Sequence, residues 1–328
     1  MAFMDIIYYF FGLGGGLIAS GGIFLLMLQG VVRHWEDRYR DPFTRPVCRP
    51  AGYGCQMRRE ESLDSATEWC GTFFCAVMFG FGFLAAKEFP PIGWPIFGFF
   101  AATAAYVCGR QVQHHLNQAR SSRLGFLGEV AVAEELAKLP NQEWQIFHDV
   151  PMRGDDGSEF NIDHVAIGPP GIFAIETKTW SKSRLRMKKD YRLRVEGDQV
   201  IFPDEQRKEL PLSQAKGAAV ALASWLDEKT GEKPWVHAQV VMPGWAVTYS
   251  GAQNKQLCEI GCIRTFLQNT EGRLSPVRRS ELAAAVEEKC RTLTFEKAGN
   301  FLSAYSHHAP PSPAKSIKEK SAISPAGA

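Results

Sequence analysis

The stretch that decides the fold runs from Asn161 to Lys178 and reads Asn-Ile-Asp-His-Val-Ala-Ile-Gly-Pro-Pro-Gly-Ile-Phe-Ala-Ile-Glu-Thr-Lys. Two runs rich in β-branched and aromatic residues flank the Gly-Pro-Pro-Gly turn at 168–171. This pattern predicts a β-hairpin of two short strands. If the turn closes the hairpin without a bulge, Ile167 lies opposite Ile172.

The register of this hairpin places three charged side chains together. Counting outward in twos from the turn puts Asp163 opposite Glu176, and Lys178 shares the face of Glu176 because strand side chains alternate. The flanking strand is apolar on both faces, as in a buried strand, and burying unbalanced carboxylates is costly. A divalent cation would remove that cost. The alternative is that Asp163 and Lys178 end their strands in water and that Glu176 is an incidental strand charge.

Three runs without charged residues precede the hairpin, at 6–32, 70–86 and 91–109. A membrane-spanning helix needs about 20 apolar residues, within a range of about 17 to 25. We therefore expect a membrane region with about three transmembrane helices over 1–109, interrupted by a polar loop at 33–69. The first run is rich in glycine, which suits close helix packing in lipid, and it lacks the basic start of a cleaved signal peptide.

The arginines of the polar loop predict the orientation in the membrane. Because the link between the second and third runs is short, the loop at 33–69 and everything after Gly109 lie on one side, which the positive-inside rule places in the cytoplasm. We expect a multi-pass protein of the cell (inner) membrane with its N-terminus outside. The net charge of +2 indicates no particular nucleic-acid or acidic partner.

The remaining residues divide by composition into four parts: a juxtamembrane linker at 110–122, a soluble domain at 123–247, a C-terminal helical extension at 248–305 and a disordered tail at 306–328. Within the soluble domain the order helix, strand, hairpin, helix, strand predicts an α/β sandwich rather than an all-β fold. The first of these helices carries an apolar stripe that ends at Pro140 and includes Glu129. Because a core-facing carboxylate is unusual without a partner, Glu129 either points into the hairpin site or lies at the edge of the stripe.

Basic residues alternate along a second predicted hairpin that turns near Lys189-Asp190: Arg184, Arg186, Lys188, Arg192 and Arg194. One face of this hairpin would be basic and could bind the phosphates of a nucleic acid. The alternative is an ordinary solvated surface. Other chemistries find little support, because the chain lacks a phosphate-binding GxxxxGK[ST] loop, a GxSxG elbow, an HExxH helix and paired CxxC elements.

Five short motifs occur in order along the soluble domain: Gly128-Glu129, Ile162-Asp163-His164, Gly168-Pro169-Pro170-Gly171-Ile172-Phe173, Ile175-Glu176-Thr177-Lys178 and Pro211-Leu212-Ser213-Gln214. On these motifs the region from Arg123 to Val247 resembles the NERD (nuclease-related domain) family of the PD-(D/E)XK nuclease superfamily. The resemblance implies a restriction-endonuclease-like α/β sandwich with a mixed central sheet, preceded here by the expected N-terminal transmembrane helices. One departure is Ile162, which stands where the superfamily name has Pro.

The resemblance also implies the roles of individual residues. Glu129, Asp163 and Glu176 would hold a divalent metal, Mg²⁺ or Mn²⁺. Lys178 would position or activate the attacking water, either charged and stabilising the transition state or deprotonated as a base. Gln214 would support the site from its helix.

Two functions from different classes remain. The first is a membrane-anchored, metal-dependent nuclease, a hydrolase acting on phosphodiester bonds of cytoplasmic nucleic acid, with DNA favoured over RNA. The second is a non-catalytic nucleic-acid-binding or membrane scaffold module with the nuclease fold. The presence of Asp163, Glu176 and Lys178 together favours the first, since a binding module has no need of all three.

Overall fold

The computed structural model describes residues 45–86, 92–154, 157–182, 191–249 and 256–294. They fall into two units. The first contains described residues of Glu60–Ala119, and the second combines Arg45–Arg59 with the residues from Arg120 onward.

The described elements, in chain order, are β1 (Val47–Cys48), α1 (Tyr53–Ala86), α2 (Gly93–Leu136), β2 (Gln145–Arg153), β3 (Glu159–Gly168), β4 (Gly171–Thr177), β5 (Arg192–Glu196), β6 (Gln199–Ile201), β7 (Arg207–Glu209), α3 (Leu212–Thr230), β8 (Val236–Met242), β9 (Ala246–Tyr249), β10 (Leu257–Glu259), a 3₁₀ turn (Ile260–Cys262), α4 (Ile263–Gln268), α5 (Pro276–Cys290) and β11 (Arg291–Leu293).

Two of the runs that we expected to span a membrane lie in helices α1 and α2. Within the described ranges no helix is long and apolar enough to cross a membrane, so the expected spans at 70–86 and 91–109 are not supported. The physical reason is that both apolar runs are short parts of long mixed helices: Glu68 closely precedes the first and Arg110 directly follows the second. The run at 6–32 lies outside the described residues, as do most of the loop at 33–69 and the tail at 306–328.

Helix α2 extends from the third expected span, at 91–109, into the domain predicted at 123–247. Residues 110–122, which we expected as a linker, lie inside this helix. The helix predicted from the apolar stripe is its C-terminal part, and a turn follows it before Pro140. The stripe faces the protein interior at Phe126 and Leu136, which are buried.

The central sheet has five strands in the order β10-β8-β4-β3-β2. Strand β3 is antiparallel to both of its neighbours, β2 and β4, whereas β8 is parallel to β4 and β10 is parallel to β8. The prediction of a mixed central sheet is therefore confirmed. Strand β10 belongs to the part of the chain that we expected to be a helical extension, so that part contributes to the sheet as well.

The hairpin of β3 and β4 has the register predicted from its turn. Ile167 pairs with Ile172, and the ladder continues to the pair His164 and Ile175. This last pair is one step short of Asp163 and Glu176. Strand β4 is buried along its whole length.

The two faces of β4 pack against different helices. Ile172 and Ala174 belong to a core that includes Leu222 of α3, and Phe173 packs with Leu136 of α2 on the opposite face. Helices therefore cover both faces of the sheet. This explains why the residues of β4 before Glu176 do not alternate between apolar and polar.

The expected helical extension at 248–305 contains the two helices α4 and α5. Ser275 caps α5, since its hydroxyl accepts a hydrogen bond from the Arg278 N–H at 3.2 Å, and Pro276 follows the cap. After α5 the chain forms β11, which pairs with β1.

Candidate active site

Four carboxyl groups meet near the C-terminal end of β4: those of Glu129, Asp149, Asp163 and Glu176. They come from α2, β2, β3 and β4. The side chains of Glu129, Asp149 and Glu176 are buried, and Asp163 is partly buried. The structure thus brings together the carboxylates named from the sequence and adds Asp149, which sequence reasoning missed.

Burial and mutual repulsion disfavour the charged form of these carboxyl groups. Burial, and next the charge of Asp163, raise the pKa of both Glu129 and Glu176. Burial is also the main cause that raises the pKa of Asp163. Several carboxyl groups in one buried site favour either protonation of some of these groups or the binding of a cation that balances their charge.

The carboxylate of Asp163 is held by the neighbouring strand. The main-chain N–H of Thr177 donates a hydrogen bond of 2.7 Å to Asp163 Oδ2. This bond fixes the carboxylate at the point where the hairpin ladder ends. The N–H of Lys178 donates to the Val241 carbonyl oxygen at 2.9 Å, which holds the next residue of the chain against β8.

The side chain of Lys178 belongs to the same cluster. It is half-buried, and its positive charge lowers the pKa of Glu176 and of Asp163 against the effect of burial. The predicted trio of Asp163, Glu176 and Lys178 is therefore assembled. Its geometry follows from the hairpin register and the alternation of strand side chains.

Glu129 reaches the cluster from helix α2, so it points into the site rather than lying at the edge of the apolar stripe. Gly128 allows the approach, because a Cβ at this position would lie 2.3 Å from Thr179 Cγ2 just beyond β4. Glu129 Oε2 accepts a hydrogen bond from the Gly52 N–H at 3.1 Å, and Oε1 accepts one from the Cys55 thiol at 3.0 Å. Both oxygens of the carboxylate are thus engaged.

Asp149 lies at the level of Asp163 on the adjacent strand, between the pairs His148–His164 and Val150–Ile162. Its φ of 47° is in the left-handed region, which Asp tolerates better than most residues. The only available sequence signal was a single acid in a predicted strand, between His148 and Val150. Counting could not place it, because no tight turn fixes the register of β2 on β3.

Two imidazoles support the hairpin, that of His164, which is fully buried, and that of His148, which is partly buried. His148 Nδ1 and His164 Nδ1 are 2.8 Å apart, and His164 Nε2 is 3.1 Å from the Thr177 hydroxyl. Burial lowers the pKa of both histidines, so both rings are neutral at pH 7 and one donates to the other. Thr177 lies between Glu176 and Lys178, and this chain of hydrogen bonds therefore fixes the backbone that carries them.

Gln214 and the basic residues are less closely tied to the cluster. Gln214 is exposed in the first turn of α3, and no hydrogen bond joins it to the carboxylates among the described residues. Arg192 and Arg194 are exposed on β5, and Arg194 forms ion pairs with Glu196 and Glu205. The predicted turn near Lys189-Asp190 lies outside the described residues, together with Arg184, Arg186 and Lys188.

The donor set fits a hard divalent cation, because Mg²⁺ and Mn²⁺ prefer oxygen ligands and a dication would relieve the repulsion among the carboxylates. In the part of the chain that the structure describes, no group of three or more His, Cys, Asp or Glu side chains is arranged so that it could hold a metal ion. The carboxylates therefore match such a cation in the chemistry of their oxygen donors, but the described side chains are not arranged as its ligands.

The mixed sheet with helices on both faces and a carboxylate-lysine cluster at a strand end fits a nuclease fold. Residues 124–243 match the family model described as nuclease-related domain, NERD. The recognition made from the motifs is thus confirmed, and this segment carries a nuclease-related domain consistent with the PD-(D/E)XK superfamily. Comparison with curated proteins and with solved structures gave no match.

Proposed function

We propose that this protein is a metal-dependent nuclease that hydrolyses phosphodiester bonds of nucleic acid, with DNA as the favoured substrate. The observation that carries the proposal is the cluster of Asp163, Glu176 and Lys178 at the end of the β3–β4 hairpin, with Glu129 beside it. A domain that only binds nucleic acid gains nothing from buried carboxylates, which repel a polyanion.

Glu129, Asp163 and Glu176 would hold Mg²⁺ or Mn²⁺. When bound, such a cation neutralises charge on the phosphate and lowers the pKa of a water molecule. The hydrogen bond from the Thr177 N–H fixes the Asp163 carboxylate, so little reorganisation is needed at the moment of reaction.

Lys178 would act directly on the reacting groups. Its ammonium lies in a partly buried cluster, where a fixed positive charge stabilises developing negative charge better than it does in water. Its main chain is held by Val241, so its side chain starts from a defined position. Gln214 would support the site from α3.

The binding of nucleic acid would extend beyond the cluster. We assign phosphate contacts to Arg192 and Arg194, which point to the exposed side of β5 while Leu193 and Val195 point into the core. Arg184, Arg186 and Lys188 belong to the same proposal on the basis of their alternation in the sequence.

A non-catalytic nucleic-acid-binding or scaffold module is the second candidate function. One observation favours it: both oxygens of Glu129 already accept hydrogen bonds, from Gly52 and from Cys55. In such a module Glu129 would serve packing and would never hold a cation. Metal-dependent cleavage by the purified protein separates the two candidates.

We further propose that the protein is attached to the cell membrane and that the nuclease-related domain lies in the cytoplasm. The support is the uncharged run at 6–32 together with exposed aromatic side chains in the first unit, among them Phe79, Phe99 and Phe100. Cys262 is exposed and follows the domain. In a chain with its other exposed cysteines replaced by Ser, a thiol reagent outside intact cells should leave Cys262 unlabelled until the cells are permeabilised. Labelling of intact cells contradicts this orientation.

The proposed activity is tested with the purified full-length chain and labelled DNA and RNA. We expect cleavage in Mg²⁺ or Mn²⁺ and none in a chelator. The variant Asp163→Asn keeps the shape of the side chain but removes the charge, so it should lose cleavage without unfolding. Equal cleavage by the variant and the wild type contradicts the proposal.

A further inference from the structure

The carboxylate cluster includes a part of the chain outside the matched segment 124–243. Residues Arg45–Arg59, which we call the N-terminal arm, belong to the same unit as the nuclease-related domain. The arm donates both hydrogen bonds that Glu129 accepts, one from the Gly52 N–H and one from the Cys55 thiol. The arm therefore lines the site.

The arm also contacts the second buried acid. The Gly54 N–H donates to Asp149 Oδ1 at 3.1 Å, and Arg49 forms an ion pair with Asp149 Oδ2 at 3.0 Å. Arg49 additionally donates to the side-chain oxygen of Asn161 at 3.2 Å. Two acids of the cluster are thus fixed by one short stretch of chain.

The fit of the arm is close. A Cβ at Gly54 would lie 2.7 Å from Asp149 Oδ1, and a Cβ at Gly52 would lie 2.5 Å from the ring of Phe126. Gly52 also has a φ of 79°, which side-chain-bearing residues rarely adopt. Only glycine at these two positions brings the main chain this near to the acids.

The first turns of α1 place Arg58 at the edge of the cluster. Arg58 Nη2 donates to Cys55 Sγ at 3.2 Å, and that thiol donates to Glu129. Arg58 Nη1 lies 3.5 Å from the Cβ position of Gly54, which is itself beside Asp149. The guanidinium therefore lies near both Glu129 and Asp149, while the residue as a whole is exposed to solvent.

We propose that Arg58 is a substrate-binding residue of this site, and that it contacts the phosphate next to the scissile bond. The inference rests on the proposed nuclease function. A guanidinium binds a phosphate through two parallel N–H donors, which fixes both position and orientation. Since a carboxylate-rich site repels a polyanion, an accessible arginine among the acids supplies the attraction that the acids lack.

The same location allows an opposite role, which the experiment must distinguish. If Arg58 occupied the place of a cation, it would compete with Mg²⁺ and inhibit the enzyme. Its removal would then increase metal affinity and cleavage. If Arg58 instead contacts a phosphate, its removal should slow cleavage and leave unchanged the Mg²⁺ concentration that cleavage requires.

The test compares the full-length wild type with Arg58→Ala, Arg58→Lys and Arg59→Ala. Arg59 is the matched control, because it is the next residue of the same helix and makes no described contact with the acids. Binding of a short DNA duplex is measured in Ca²⁺ as a function of salt, and cleavage is measured in Mg²⁺. Thermal unfolding of each variant shows that it is folded, and Arg58→Gln is used if the Ala variant is not.

We expect Arg58→Ala to weaken DNA binding and kcat/KM by about 10- to 100-fold, the loss of one or two charge-assisted hydrogen bonds. The slope of log affinity against log salt should fall by about 0.9. Arg58→Lys should restore the slope but only part of kcat/KM. Unchanged binding and slope, or faster cleavage at lower Mg²⁺, overturns the inference. If the wild type fails to cleave, the proposed function fails, and the binding measurements still decide whether Arg58 contacts phosphate.

Discussion

The main-chain N–H of Thr177 donates a 2.7 Å hydrogen bond to the side chain of Asp163. This bond joins the two strands one step beyond their last ladder pair, His164 and Ile175. It links the register of the hairpin to the chemistry of the site, because it holds the Asp163 carboxylate beside the residue that follows Glu176.

The first prediction concerns the hydrogen bonds behind the hairpin. Thr177→Val removes the partner of His164 Nε2 and leaves a fully buried ring nitrogen without its hydrogen bond. The free energy of unfolding, measured with urea, should fall by about 1 to 3 kcal/mol. Thr67→Val is the control, because its hydroxyl is exposed on α1, and it should change stability by less than about 0.5 kcal/mol. Equal losses in the two variants contradict the role of the His164 contact.

The second prediction concerns Gly128. Gly128→Ala should destabilise the protein by about 1 to 3 kcal/mol, because the new Cβ overlaps Thr179. The control is Gly109→Ala in the same helix, where the Cβ meets nothing and stability should rise by about 0.5 to 1 kcal/mol. Thr179→Ala should recover part of the loss in the double variant. No recovery shows that the two residues are not coupled.

The third prediction is the pH dependence of stability without metal. In the folded state the pKa of Glu129 and of Glu176 is raised to about 8, and that of Asp163 is raised to about 7. These groups therefore keep their protons at a pH at which the unfolded chain has lost them. The free energy of unfolding should therefore fall as the pH rises from about 6.5 to about 8. Below that window His148 and His164 have the opposite effect on stability. Their pKa values are lowered in the folded state, so as the pH rises the folded state loses these protons before the unfolded chain does, and the free energy of unfolding rises. Urea titrations in a chelator measure this slope.

The effect of a divalent metal on stability is the second part of this prediction. A dication that binds the ionised carboxylates should raise the melting temperature more at pH 8 than at pH 6.5. Asp163→Asn should make both the slope and the metal effect smaller. A stability in chelator that rises throughout the window contradicts the buried, repelling cluster.

The fourth prediction concerns the basic face of β5. Replacing Arg192 and Arg194 by Ser should weaken DNA binding for every sequence and lower the log-log salt slope by about 1.8, or about 0.9 for each lost contact. Arg273→Ser, an exposed arginine elsewhere, is the control and should leave the slope unchanged. An unchanged slope in the double variant assigns the face to ordinary solvated surface.

The hairpin and its trio could be predicted from the sequence because a short turn with two prolines and two glycines determines the register locally. Once Ile167 is opposite Ile172, alternation places Asp163 near Glu176 without any knowledge of the rest of the fold. Glu129 was identified by its position on an apolar stripe, although the stripe alone could not show where the carboxylate points.

The parts that could not be predicted depend on contacts between distant segments. The bond from Gly52 to Glu129 joins residues 77 positions apart, and no local pattern encodes it. We assigned the N-terminal arm to a polar loop because its arginines read as surface charge, whereas Arg49 pairs with the buried Asp149. The apolar runs at 70–86 and 91–109 lie in long mixed helices, since absence of charge over a short window does not determine what surrounds a helix.

The central claim is that the cluster around Asp163 hydrolyses nucleic acid with a divalent metal. The most direct measurement is cleavage of end-labelled DNA and RNA by the purified full-length chain, in Mg²⁺, in Mn²⁺ and in a chelator, for the wild type, Asp163→Asn and Lys178→Ala. We expect the wild type to cleave only with metal, Asp163→Asn to lose both metal binding and cleavage, and Lys178→Ala to bind metal but not cleave. No cleavage by the wild type with either metal, or equal cleavage by all three proteins, contradicts the account and favours the binding module.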